Sequence, residues 1–145
     1  MTSCLPLYTV YVQYTVAGDL TLRIDLDSAV PAYRQIVDGL RILLVGGKLE
    51  PGAELPSVRR MALDLGVHFN TVAEAYRLLA EEGWLDLRHG RSARVVYRDA
   101  PDPTSDTLRE FGYRLRALTA EMLAKGAFAE DLRSAMRTAA EELES

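Results

Sequence analysis

Apolar residues near the start of the chain fall on alternate positions: Val10, Val12, Tyr14 and Val16, then Leu20, Leu22 and Ile24. Ala17-Gly18-Asp19 separates the two runs. Period-two apolarity about a Gly-Asp turn predicts a β-hairpin within an N-terminal extension over 1–26. A lone hairpin is marginal in water, so this one either packs on something or is a loose extension. From Pro31 the period changes. Tyr33, Ile36, Val37, Leu40, Leu43 and Leu44 stand three and four apart, which predicts a helix with one apolar stripe. Pro31 suits the first helical position, and Gly46-Gly47 stops the helix. A turn-rich connector, "KLEPGAELP", follows.

Two short helices come next. Ser57 is placed to cap the first, which points Val58, Met61, Ala62 and Leu65 inward and ends at Gly66, with Val67 buried at the corner. The second begins near Phe69 or Asn70, carries Val72, Ala75, Tyr76 and Leu79, and ends at Gly83. Helix, glycine-containing turn and helix make a helix-turn-helix. Trp84–Leu87 and Ala93–Tyr97 read as two strands around a His89-Gly90-Arg91-Ser92 turn, the position of a wing. "DAPDP" marks a linker over 99–103.

The tail, 104–145, returns to helical spacing. Leu108, Phe111, Leu115, Leu118 and Met122 recur at intervals of three and four, a heptad seam. After Gly126 a second stripe holds Leu132, Met136, Ala139 or Ala140, and Leu143. Short amphipathic helices bury little alone, so a second subunit is the expected partner for this seam. The fold class that emerges is mainly α with a small β-hairpin wing. It is a winged helix-turn-helix domain over 27–98 plus a C-terminal helical dimerisation hairpin.

Charge sharpens this picture. The whole chain of 145 residues carries a formal charge of -4. Residues 1–56 contribute -2, residues 57–98 contribute +2 and residues 99–145 contribute -4. The helix-turn-helix and wing are thus the only positive third. Their cations are all arginine: Arg59, Arg60, Arg77, Arg88, Arg91, Arg94 and Arg98. A DNA duplex responds to a local positive face, while a solvated surface is the plain alternative.

Several segments, in this order and spacing, resemble the GntR family of bacterial transcriptional regulators. They are "PAYRQI" at the first helix, "GKLEPGAELPSVR" into the second, "GVHFNTVAEAYRLL" at the third and "EEGWLDLRHGR" at the wing. The span is roughly Pro31 to Val95. "PSVR" and "NTV…AY" look most like the YtrA-type branch, whose C-terminal region is a short pair of helices, and the short remainder after Asp99 agrees. The resemblance implies a homodimer with one recognition helix per subunit in the major groove of a double-stranded DNA operator and one wing near the minor groove. Its operator would be a near-palindrome.

Under that resemblance the DNA-contacting residues are Ser57, Arg59, Phe69, Asn70, Thr71, His89, Gly90 and Arg91. Each has a plainer role. Ser57 caps its helix in any case. Arg59 can form a surface ion pair. Asn70 and Thr71 suit a helix start. Phe69 can touch a thymine methyl or pack on the wing. His68 stands where serine or asparagine is common in the family, and histidine caps poorly. Phe69 and Ala73 replace residues that are often arginine in related branches. Ser92, Ala93 and Arg94 depart from the family's usual wing tip, and Arg94 adds charge there. Arg77 is on the exposed side and can reach a phosphate, but a pair with Glu74 or Glu81 is the expectation. Trp84, Tyr76 and Leu79 read as core, and Met122 and Met136 as packing residues.

No nucleophile–base constellation appears, so the chain is not expected to be an enzyme. Two histidines without clustered carboxylates make a poor metal site, and no cofactor is expected. The single cysteine, Cys4, excludes an intramolecular disulfide. No apolar run nears the ~18 residues of a membrane span, and no basic flank precedes the N-terminal apolar stretch, so a cytoplasmic location is expected. Nothing names a small-molecule effector. A winged-helix module that grips a protein instead of DNA is the competing function, and an exposed apolar face would distinguish it.

Overall fold

A computed structural model describes residues 11–17, 20–88, 92–102 and 104–143. The chain divides into two compact units, Met1–Asp99 and Ala100–Ser145.

The first unit opens with an antiparallel hairpin, β1 (Tyr11–Ala17) and β2 (Leu20–Asp25). Its register pairs Tyr14 with Leu22 and Thr15 with Thr21, with an irregularity before Ala17. Three helices follow: α1 (Ala32–Val45), α2 (Val58–Leu65) and α3 (Phe69–Glu81). The wing strands are β3 (Leu85–Asp86) and β4 (Arg94–Val95), shorter than the apolar pattern predicts.

One core joins these elements. Ile36, Val37, Leu40 and Leu44 of α1 meet Val72, Ala75, Tyr76 and Leu79 of α3 and Met61, Ala62 and Leu65 of α2. The hairpin belongs to the same core: Tyr14, Val16, Leu22 and Ile24 are all buried in it. Its inward residues are the alternate positions that the pleat sends to one face. The approach to α1 is close, since a Cβ at Gly39 would lie 2.1 Å from Leu22 Cδ1. Gln35 of α1 stitches the strand end to the helix. Its Oε1 accepts from Asp25 N at 2.8 Å and its Nε2 donates to Asp25 O at 2.8 Å. On the α2 side, burial and then the adjacent Asp64 carboxylate hold the Tyr14 phenol above its ordinary pKa.

The connector is more than a turn. Gly52 N donates to Val95 O, Val95 N to Ala53 O and Leu55 N to Ala93 O, at 2.7–2.8 Å. Residues 52–55 therefore lie along β4 as a third extended segment, with Leu49 and Leu55 buried beneath. Arg94, expected as free charge, is tied to Glu54 at 3.0 Å across this pairing.

The second unit holds α4 (Ser105–Ala124) and α5 (Ala129–Glu142). Thr104 caps α4 by accepting from Thr107 N at 3.2 Å, and Gly126 takes a left-handed φ of 98° between the helices. Neither helix has a buried residue. No helix among the described residues is long and apolar enough to cross a membrane.

Because the hairpin shares the core, Ile24→Ala should lower stability by about 2–5 kcal/mol, read from urea unfolding. A loss under about 0.5 kcal/mol, the usual range for surface changes, would mean the hairpin lies outside the cooperative unit.

Candidate nucleic-acid interface

Three pieces of backbone meet on one exposed face: the start of α2, the start of α3, and the wing. Ser57 is the N-cap of α2, and its Oγ accepts from Arg60 N at 3.1 Å. This occupies one of the free amides of the first turn and leaves others facing solvent. Arg59, two residues after the cap, is exposed. Its neighbour Arg60 is held by Asp64 at 2.9 Å.

The link between α2 and α3 is covalent on one side and hydrogen-bonded on the other. Gly66 takes φ 68°, a left-handed conformation that lets Val67 N reach back to Ala62 O at 3.1 Å. Val67 is partly buried at the corner. On the other side, the Tyr76 hydroxyl donates to Pro56 O at 2.7 Å. That bond fixes the loop leading into Ser57 against the middle of α3. Burial, with a smaller contribution from Tyr14, pushes the Tyr76 phenol well above its ordinary pKa.

His68 is the N-cap of α3 and, against expectation, its side chain does cap. Nδ1 accepts from Asn70 N at 3.1 Å. Thr71 N bonds His68 O at 3.0 Å, closing the first turn. Asn70 is exposed, Thr71 half-buried, and Phe69 is 47% exposed.

Phe69 is not packed into the core. It lines an open cleft of about 590 Å³ together with Ser57, Arg59, Ala73, Leu87 and Arg77. The structure thus brings Ser57, Arg59 and Phe69 to one cleft. It adds Arg77, for which spacing favours a pair with Glu74 or Glu81; among the described residues no such ion pair forms. Arg88 pairs with Asp86 at 3.0 Å, and Arg98 lies 4.7 Å over the Trp84 ring while donating to Glu82 O. Among the described residues of 57–98, Arg59 and Arg77 are therefore the guanidiniums left without a partner. An i,i+4 spacing suggests the Arg77–Glu81 pair, but spacing alone does not say which rotamer the cleft selects. His89, Gly90 and Arg91, expected at the wing tip, lie outside the described residues.

The seam residues of the second unit stand open. Leu108, Phe111 and Leu118 are 74%, 62% and 54% exposed; Met136 is 37% exposed. Leu115, Met122 and Leu132 are half-buried. They form an apolar face on helices that are otherwise charged, with ion pairs such as Arg109–Asp106 and Arg133–Glu130.

Known proteins share this architecture. The family model described as bacterial regulatory proteins, gntR family, matches residues 32–95. The HTH-type transcriptional repressor YtrA of Bacillus subtilis (strain 168) is 36% identical over 74 residues, which make up 51% of this chain and 57% of that protein. The solved structure of YtrA from Sulfolobus acidocaldarius, a GntR-family transcription factor, is 38% identical. It matches over 66% of this chain and 97% of that one, with a TM-score of 0.54. A transcriptional antiterminator from Listeria monocytogenes EGD-e, 24% identical, matches 81% of this chain and 87% of its own with a TM-score of 0.62. That last likeness is one of fold alone. The chain spans 15–65% of the length of the curated relatives it matches first.

Tyr76→Phe removes the hydroxyl that holds Pro56 and should cost about 0.5–1.5 kcal/mol of stability. The wild-type phenol stays protonated in the folded state above pH 10, whereas the unfolded one ionises there. Unfolding then releases a proton, so stability falls as pH rises past 10. Denaturation at pH 8 and above pH 10 should show that fall reduced in the variant.

Proposed function

For a chain that belongs to the GntR family of bacterial regulatory proteins, in its YtrA-type branch, we propose the role of a sequence-specific DNA-binding transcriptional repressor. The single observation that carries the reading is the exposed face on which Ser57, Arg59, the start of α3 and the unpartnered Arg77 converge. Free guanidiniums beside a helix that offers amide and hydroxyl groups suit a polyanion whose base edges lie in a groove. Here α3 enters the major groove. Arg59, Ser57 and the amides at the start of α2 hold phosphates or base edges, and the wing tip lies along the minor groove.

The repressor role is supported by the name of the B. subtilis relative. A homodimer is supported by the open seam of α4 and α5, whose leucines, phenylalanine and methionines need a second apolar surface. Two subunits related by a two-fold axis would read a near-palindrome with half-sites about one helical turn apart. The acidic second unit then tempers non-specific attraction to DNA, because only the local face is positive. Such a regulator works where the chromosome is, in the cytoplasm. The competing reading, a protein-gripping module, draws on the apolar floor of the cleft. The cations and the polar start of α3 beside it favour DNA.

Fluorescence anisotropy with the DNA upstream of its own gene, across a salt series and against scrambled DNA, tests the proposal. A preference of about a thousandfold is expected; equal and weak binding to both duplexes overturns it for that DNA. Arg59→Ala should weaken operator binding by roughly 1–3 kcal/mol, and unchanged affinity would remove Arg59 from the interface. Leu115→Asp should convert dimers to monomers in sedimentation or light scattering. A fully dimeric variant would sink the seam.

A further inference from the structure

The cleft beside α3 has an uneven chemistry. Its floor and walls are apolar, built from Val58, Phe69, Ala73, Tyr76, Leu87 and Ala93, while Arg59 and Arg77 stand at it as cations. Phe69 holds the first position of α3 and remains 47% exposed at the mouth of the cleft. Core packing does not account for it: the buried face of α3 is Val72, Ala75, Tyr76 and Leu79. An aromatic side chain half open to water beside an apolar recess is favoured when an apolar group covers it.

The opening turns of α3 also lack what guanine requires. Phe69-Asn70-Thr71-Val72-Ala73-Glu74 contains no arginine or lysine. In the major groove guanine offers two acceptors and is read by a bidentate cation, adenine is read by an amide, and thymine by apolar contact with its C5-methyl. Asn70 supplies the amide, and Phe69 with Ala73 the apolar surface. A ligand that is apolar at its centre and anionic along its edges matches a cleft that is apolar within and cationic at Arg59 and Arg77. A thymine-bearing stretch of major groove between its two phosphate strands has that pattern.

We propose that Phe69 and Ala73 form a thymine-reading surface, with a thymine C5-methyl seated on Phe69 at the mouth of the cleft and Asn70 bonding an adjacent adenine. The part of each half-site under the start of α3 is then A·T, with Arg59 and Arg77 on the flanking phosphates. This rests on the DNA-binding reading above and goes beyond it by naming the bases.

The test selects binding sites for the full chain from a random duplex library. A selected site is then remade with deoxyuridine at single thymines, which removes only the methyl group. The expected site has A·T pairs under α3, and one thymine-to-uracil change should weaken binding about fourfold, the value of one buried methyl. Phe69→Ala should erase that difference, whereas Phe69→Leu, which keeps an apolar surface, should retain it. Selected sites with G·C under α3, or indifference of the wild-type protein to every uracil, would overturn the inference while leaving DNA binding intact. A library from which nothing is enriched would overturn both. The wild-type uracil comparison does not depend on how any variant folds.

Discussion

The two-sidedness of α3 is the constraint on which the rest of the first unit depends. Val72, Ala75, Tyr76 and Leu79 are all within 1% of complete burial, between α1 and α2. A helix turned by one residue, about 100°, would bring Ala73 and Arg77 inward and carry Ala75 and Leu79 outward. That would bury a guanidinium and expose a leucine, a combined cost of several kcal/mol. The packing face therefore decides the presenting face. Phe69, Asn70 and Arg77 are exposed because Val72, Ala75, Tyr76 and Leu79 hold the other face of the helix inward.

Tyr76 couples that orientation to the second element of the interface. Its ring lies in the core and its hydroxyl holds Pro56 O. Rotation or slippage of α3 would thus also release the loop that presents Ser57 and Arg59. A buried tyrosine whose hydroxyl finds a partner is the usual way for an aromatic residue to combine core packing with a polar anchor. The wing is fastened separately. The connector pairs with β4, and Leu55 and Leu49 fill the space below. Both fastenings hold segments that line the cleft.

Electrostatics follow from these positions more than from composition. Of the arginines in the positive third, Arg60, Arg88 and Arg94 are engaged by Asp64, Asp86 and Glu54. Exposed pairs of this kind add little stability, but each fixes a guanidinium to a neighbouring carboxylate. What remains is concentrated where Arg59 and Arg77 flank the apolar cleft. Among the described residues the unpaired positive charge of this third is thus local to one cleft.

Local patterning was enough to locate most elements. The alternating apolar run made the hairpin legible, three- and four-residue spacing marked the helices, and Ser57, Gly66 and Gly83 bounded them, because backbone geometry imposes these periods and caps wherever the chain runs. The family resemblance singled out Ser57 and Arg59 by motif. Other features depend on neighbours distant in sequence. That the hairpin is core required Leu22 to meet Gly39; that residues 52–55 act as a strand required β4 to lie beside them, since four residues with one buried leucine carry no readable period. Residue preference predicts a weak cap at His68, yet its Nδ1 accepts from Asn70 N. Spacing favours an ion pair for Arg77, yet among the described residues it forms none and lines the cleft. Sequence alone determined where the chain is helical, extended or turning, since those choices are settled within a few residues. Only the tertiary structure decided which cations are free and which apolar groups stay uncovered, because both depend on what side chains many residues away bring within a few ångströms.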